Sequence, residues 1–362
     1  MEQAKKRRVA IIGSAGLPAN YGGFETFVNY LTLEKNADFN FTVYCQKTPQ
    51  QHQLDNFNGS QLRYLPFKAN GAQSIIYDIT SIIMSWFKYD SILILGTPGC
   101  IILPFLKLFK KPNTIVNFGG LEWQRDKWSK LVRWYLKFSE KIAIKYGTKI
   151  VADNKHFCDY IKNSYKKESV LIEYGGDHAS QIPINSSLIL KYPFLKTKYD
   201  VSVSRAQHDN NLHLLLEAYR NLPERNLVLI SNYDKYEYGR ELKKKYSKSP
   251  NLFLLDAIYD LKELDTIRSY AKLYIHSHSF CGTAPSLVEA MHLGLPIIAF
   301  DAATNHFTTE NEALYFKEAH ELTNIIRNLS ESHEKRIGIK MKEIANKRYT
   351  WDQILNKYSA LF

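Results

Sequence analysis

Tyr274-Ile275-His276-Ser277-His278-Ser279-Phe280-Cys281-Gly282-Thr283-Ala284-Pro285-Ser286-Leu287-Val288-Glu289-Ala290-Met291 is the stretch that decides the fold. An apolar strand ends near His276, a small polar loop follows, and a helix starts near Pro285. The first-turn N–H groups and the helix dipole favour a phosphate there. Gly282 and Thr283 let a pyrophosphate come close to the backbone. Glu289, one turn into the helix, can accept hydrogen bonds from a ribose diol. A capped helix with an ordinary first-turn glutamate is the other reading of the same residues.

Strand and helix alternate outward from this stretch. Asp200 to Ser204, Asn226 to Ile230, Leu252 to Leu255 and Pro296 to Ala299 read as strands, with a helix from about Asn211 to Tyr219. Upstream, Val9 to Ile12, Phe41 to Cys45, Leu62 to Pro66, Ser91 to Gly96, Asn113 to Asn117 and Lys149 to Ala152 read the same way. Ser129 to Tyr146 is notable among the helical stretches between them. Such alternation predicts an α/β fold with parallel sheets and right-handed crossovers. Two Rossmann-like halves meet near residues 175–200, and ligands are expected beyond the carboxyl ends of the strands, in a cleft between the halves.

The 362 residues suit two domains. No stretch reaches the ~20 apolar residues of a membrane span. The apolar run after Lys5, Lys6, Arg7 and Arg8 is too short for a signal peptide, so the expected location is cytoplasmic. Cys45, Cys100, Cys158 and Cys281 form no C-x-x-C pair, which leaves zinc and redox motifs unsupported. Charge is uneven: of the net +12, residues 101–149 carry +8, from 11 basic and 3 acidic residues. An excess this local predicts an anionic partner surface or else a solvated basic face.

Three further motifs carry chemistry. Arg205 ends the first strand of the second half, where its planar fork can bind a diphosphate; a surface salt bridge is the alternative. Gly13 to Glu25 is a glycine loop running into a helix, without the G-x-G-x-x-G fingerprint. Gly119-Gly120-Leu121-Glu122-Trp123-Gln124-Arg125 offers a carboxylate for sugar hydroxyls and an indole for a ring face, or a buried Trp beside a solvated Glu. No two aspartates lie two apart, so a D-x-D metal motif is absent and a metal-free mechanism is expected.

The sequence resembles family-four retaining glycosyltransferases of the GT-B fold, and within them bacterial rhamnosyltransferases of capsule and cell-wall polysaccharide synthesis. The resemblance rests on Ile12-Gly13-Ser14-x-Gly16-Leu17-Pro18-Ala19-x-Tyr21-Gly22-Gly23-Phe24-Glu25-Thr26-Phe27 and on Gly120-Leu121-Glu122-Trp123. Ser139-Glu140-Lys141-x-Ala143, Asp153-Asn154-Lys155 and Tyr174-Gly175-Gly176-Asp177 add to it. So do Gly282-Thr283-x-Pro285-Ser286-Leu287-x-Glu289-Ala290-Met291 and Tyr349-x-Trp351.

It implies an acceptor-binding domain over residues 1–177, a nucleotide-sugar domain over 178–345, and a C-terminal helix over 346–362 packing back toward the first. The implied donor is a nucleotide sugar such as dTDP-L-rhamnose. The implied acceptor is a saccharide on a lipid diphosphate. No cofactor or metal is implied, and no nucleic acid. Catalysis is expected of Arg205 and Glu289. Donor binding is expected of these two with Gly22, Gly23, Tyr259, His278, Gly282, Thr283 and Ser286, and acceptor binding of Glu122, Trp123, Arg125 and Asp177. Three departures stand out. Cys281 replaces the wider family's first Glu, Asn210 stands near the place of its Lys, and Gly119 replaces the subgroup's usual Asp.

The basic stretch then has a use. Trp128, Leu131, Val132, Tyr135 and Phe138 fall near one helical face, with Lys127, Lys130, Arg133 and Lys137 around it. Such a helix can lie on an anionic bilayer, which makes the expected protein peripheral on the inner face of the cell membrane. A core-facing apolar side with solvated cations is the competing reading. A GT-B-shaped epimerase or phosphorylase leaves the basic patch unused. A nucleic-acid binder leaves the diphosphate loop unused, and no nucleic-acid motif stands out.

Overall fold

The computed structural model describes residues 6–19, 22–33, 38–48, 53–109, 112–125 and 128–362. They form two compact units, Met1–Glu173 with Asp352–Phe362, and Tyr174–Trp351. The division falls after 173 rather than 177. The terminal piece of the first unit starts at 352 rather than 346, because the preceding helix, Glu331–Arg348, runs on inside the second unit.

The first unit is built on an eight-stranded sheet. In chain order its strands are β1 (Arg7–Ile12), β2 (Phe39–Gln46), β3 (Asn56–Phe57), β4 (Ser60–Leu65), β5 (Ser91–Leu95), β6 (Asn113–Asn117), β7 (Lys149–Ala152) and β8 (Val170–Leu171). They lie in the order β3-β4-β2-β1-β5-β6-β7-β8, all parallel except for the β3–β4 hairpin. Val9–Ile12 and all of β5 are buried, as strands covered on both faces must be. The C-terminal segment closes this sheet. Ser91 Oγ donates to the Phe362 carbonyl at 3.0 Å, Asn113 Nδ2 to that of Leu361 at 2.6 Å, and Asn117 Nδ2 to Tyr358 Oη at 2.7 Å.

The second unit has six parallel strands: β9 (Tyr199–Val203), β10 (Asn226–Ser231), β11 (Leu252–Asp256), β12 (Tyr274–His276), β13 (Ile297–Phe300) and β14 (Leu314–Phe316). Their order is β11-β10-β9-β12-β13-β14. β9 thus has β10 on one side and β12 on the other, and the crossovers leave it in opposite directions. This is a switch point, where an open α/β sheet leaves a crevice at its carboxyl edge.

Every strand read from the apolar runs is present. β3, β8 and β14, each two or three residues long, carry too little pattern to be read. Ser129 proves to be the N-cap of the helix Lys130–Tyr146, accepting from the Val132 N–H, rather than its first residue.

Candidate functional site

The stretch 274–291 folds as its pattern predicts: β12, a loop, and the helix Pro285–His292. Proline at the helix start presets φ. Ala284 at the N-cap has no side chain to accept from the first-turn amides. The loops at the switch point are cross-tied. Ser204 Oγ and His278 Nε2 lie 2.7 Å apart, Tyr274 Oη donates to the Val203 carbonyl at 3.3 Å, and Tyr274 also bonds Ser286. Arg205, His278, Gly282, Thr283, Ser286 and Glu289 therefore belong to one corner of the second unit.

Within it, Arg205 is exposed, and its guanidinium makes no ion pair among the described residues. Asn210, standing near the place of the family Lys, is buried and donates to the Arg205 carbonyl at 2.8 Å, so it shapes the Arg205 turn. Tyr259 is exposed in the segment after β11, the strand two places from β9 in the sheet.

Glu289 is held from two sides. Its Oε2 takes an ion pair from Arg268 Nη1, and its Oε1 lies 3.2 Å from His178 Nε2. Arg268 is fully buried and also pairs with Asp265 through Nη2 at 2.5 Å. Trp351 Nε1 donates to His178 Nδ1 at 3.0 Å. Indole nitrogen only donates, so His178 Nδ1 accepts, and Nε2 carries the proton offered to Glu289. Burial alone raises the Glu289 carboxyl pKa. The Arg268 charge and the His178 N–H outweigh it and hold the carboxyl at about 2. A fixed carboxylate, its side chain 13 % exposed, is thus presented one turn into the helix. Arg268, Asp265 and His178 are the residues that sequence reasoning missed, and Trp351 entered it only within the Tyr349-x-Trp351 motif, without a role. The i,i+3 spacing of Asp265 and Arg268 is the local signal for that pair.

The first-unit candidates stand as follows. Gly22 has φ +134°, and a Cβ there would meet the Glu25 carboxylate at 2.0 Å. Glu25 in turn accepts from the Ala15 N–H at 2.7 Å and closes the loop over the start of the helix Gly23–Leu33. Gly119, which replaces the usual Asp, has φ +68°, a region that Gly enters freely and Asp tolerates.

Glu122 pairs with Arg125 at 2.8 Å and accepts from Trp128 Nε1 at 3.1 Å. Trp123 departs from the expected open platform: the Lys137 ammonium lies 4.3 Å from its ring centre. Lys137 is correspondingly withdrawn from the expected membrane patch. It pairs with Glu140 at 2.9 Å and bonds Tyr160, because the buried Glu140 carboxylate needs a cation. Asp177 falls in the second unit and accepts from the Trp351 N–H at 2.8 Å, which starts the helix Trp351–Ser359.

Lys130 is exposed, Arg133 donates to the Trp128 carbonyl at 3.0 Å, and Lys127 lies outside the described residues. The exposed apolar strip of the helix is Leu131, Trp134 and Phe138, with spacing i, i+3, i+7. Trp128, Val132 and Tyr135, expected on that strip, are part-buried, and Tyr135 bonds the Pro98 carbonyl at 2.7 Å. Among the described residues no helix is long and apolar enough to cross a membrane.

Residues 191–345 match the family described as Glycosyl transferases group 1, and residues 6–177 match a domain of unknown function, DUF1972. No curated protein sequence matches the chain. Among solved structures, sucrose-phosphate synthase from Thermosynechococcus elongatus is similar at a TM-score of 0.82 and 16 % identity, over 98 % of each chain. HepE from Anabaena, solved with UDP and glucose, is similar at 0.76 and 14 %, again over 98 % of each. The catalytic domain of starch synthase IV from Arabidopsis thaliana, solved with ADP and acarbose, is similar at 0.71 and 14 %, over 99 % of each. At these identities the likeness carries the fold. The chain has the two-domain α/β architecture of GT-B glycosyltransferases, and residues 191–345 are similar in sequence to the glycosyl transferases group 1 family.

Proposed function

We propose that the chain is a glycosyltransferase that moves a sugar from a nucleotide donor, dTDP-L-rhamnose in the first instance, to a saccharide on a lipid diphosphate. The observation that carries the reading is the Glu289 carboxylate, fixed by Arg268 and His178 one turn into the helix at the β9–β12 switch point. In this reading it accepts from the two hydroxyls of a donor ribose. The diphosphate then falls to the Gly282 and Thr283 amides and to Arg205. As the bond from the sugar carbon to the diphosphate oxygen breaks, negative charge grows on the leaving group, and Arg205 with the helix N-terminus stabilises it. The acceptor oxygen attacks on the same face and gives its proton to the departing diphosphate, so configuration is retained without a protein nucleophile.

No metal takes part in this reaction, since fixed cations and amides do its electrostatic work. The test is a screen of dTDP-L-rhamnose, UDP-glucose and GDP-mannose in excess EDTA. Release of nucleoside diphosphate from dTDP-L-rhamnose, at the same rate with and without EDTA, is expected. Activity restored only by magnesium or manganese refutes the metal-free step, and no turnover of any donor refutes the transferase.

A lipid-linked acceptor requires the first unit to reach a bilayer. Leu131, Trp134 and Phe138 are exposed on a helix within a stretch of net charge +8, and Trp134 stacks on Phe138. Phe105, Leu108 and Phe109 add exposed apolar surface on the segment just before β6. Apolar side chains ringed by cations suit the headgroup region of an anionic membrane, where each cation adds about 1 kcal/mol. Wild type is expected to sediment with phosphatidylglycerol vesicles, in a salt-sensitive way, and poorly with phosphatidylcholine. Leu131→Ser/Trp134→Ser is expected to bind roughly tenfold more weakly, as loss of two buried apolar side chains requires at the least, with donor hydrolysis unchanged. Equal sedimentation of variant and wild type removes this surface from the reading.

A further inference from the structure

One cluster at the switch point is left unused by the reaction above. His276 ends β12, His278 follows two residues on, and Cys281 three further. The two ring centres are 4.2 Å apart. The loop turns Cys281 back, so that its Sγ lies 3.8 Å from His276 Nε2. One ligand atom from each of the three residues lies within 4.8 Å of the other two. His276 is 1 % exposed, and its Nδ1 is buried with no hydrogen-bond partner among the described residues. Its Nε2 is the ring nitrogen that faces Cys281 Sγ and is the one available as a ligand, which leaves the proton on Nδ1. His278 is bonded to Ser204 through Nε2, the kind of outer partner that fixes the orientation of a metal-bound imidazole.

We propose that His276, His278 and Cys281 form a three-ligand site for a soft divalent cation, zinc above all, with a fourth position left for water or an anion oxygen. Tetrahedral zinc with bonds of about 2.0–2.1 Å to nitrogen and about 2.3 Å to sulfur sets ligand atoms roughly 3.3–3.6 Å apart. The Cys281–His276 separation, 3.8 Å, is already close to that, and a spacing at the 4.8 Å limit needs to close by roughly 1.2–1.5 Å. The donor set contains imidazole and thiol and no carboxylate, which selects zinc over magnesium or calcium. On binding, the Cys281 thiol gives its proton to solvent and ligates as thiolate. The ion then ties the loop after β12 back onto the strand. This inference does not rest on the proposed reaction, because binding is a property of the resting chain.

The experiment uses tag-free full-length protein, stripped with chelator and titrated with zinc against a competing zinc dye. One zinc per chain is expected, with magnesium giving no signal. Cobalt in place of zinc is expected to show a thiolate-to-metal charge-transfer band. Cys281→Ser is expected to lose that band and to bind zinc at least about tenfold more weakly. His276→Gln is the second variant, with circular dichroism as the check on its fold. Should it misfold, the cobalt band and Cys281→Ser decide alone. Absence of zinc binding, a cobalt complex without the band, or equal affinity of Cys281→Ser and wild type overturns the site.

Discussion

Arg268→Met is expected to destabilise the second unit by about 3–5 kcal/mol at neutral pH, the cost of leaving buried charge without its partner. Arg268 is fully buried, and its guanidinium joins Asp265, which is 4 % exposed, to Glu289. Removing it leaves two carboxylates in a low-dielectric corner, with the His178 N–H and the Ser180 N–H as their donors among the described residues. The pH dependence identifies the mechanism. In the wild type the Glu289 pKa is depressed to about 2 from 4.5. Its contribution to stability is therefore present above pH 4.5 and lost as pH falls toward 2, on the order of 3 kcal/mol.

In Arg268→Met the main opposing charge is gone and burial prevails, so the Glu289 pKa rises above its unfolded value. The sign reverses: the contribution is then present below pH 4.5 and lost as pH rises through the new pKa. Urea unfolding of the full chain at pH 5 and pH 8 is the measurement. The variant is expected to be more stable at pH 5 than at pH 8. Asp265→Asn/Arg268→Met/Glu289→Gln, with no buried charge left in the triad, is expected to recover much of the loss. Equal destabilisation at both pH values means that Arg268 acts through packing alone.

The corner around Arg268 also marks where the sequence stopped being legible. β12, its loop and the helix Pro285–His292 are local: an apolar run, small polar residues and a proline suffice to read them. Arg205 and Glu289 could be nominated because each sits at a strand end or a helix start. Arg268 could not, because in Leu261-Lys262-Glu263-Leu264-Asp265-Thr266-Ile267-Arg268 it reads as half of a solvated i,i+3 pair. Only the packing of the helix Leu261–Ser269 turns that pair inward.

His178 and Trp351 are 173 residues apart and meet only in three dimensions. The side chains of Asp177 and Trp123 likewise meet partners 14 or more residues away, Trp351 and Lys137. The same limit shifted the exposed apolar strip of the helix to Leu131, Trp134 and Phe138. Hydrophobic spacing admits two overlapping faces on Lys130–Tyr146, and contact with Pro98 selects the one that is covered.

Glu289→Gln is expected to lower kcat/KM for the nucleotide sugar at least tenfold, with most of the loss in KM. The change keeps the volume of the side chain and its place on the helix, and removes one charge. A hydrogen bond to a charged group contributes roughly 1.5–3 kcal/mol, and about 1.4 kcal/mol is a factor of ten. The ribose is bound alike in ground and transition states, so the loss falls on binding. The new amide also presents N–H groups where Arg268 and His178 both donate, which turns one of two favourable contacts into a repulsive one. Arg268 keeps Asp265 as its partner, so the fold is expected to hold. Isothermal titration with the free nucleoside diphosphate separates the two roles left to Glu289. A ribose contact weakens nucleotide binding itself. A purely structural carboxylate leaves binding intact and changes only the unfolding midpoint. Wild-type nucleotide affinity in a folded Glu289→Gln protein removes Glu289 from the donor site.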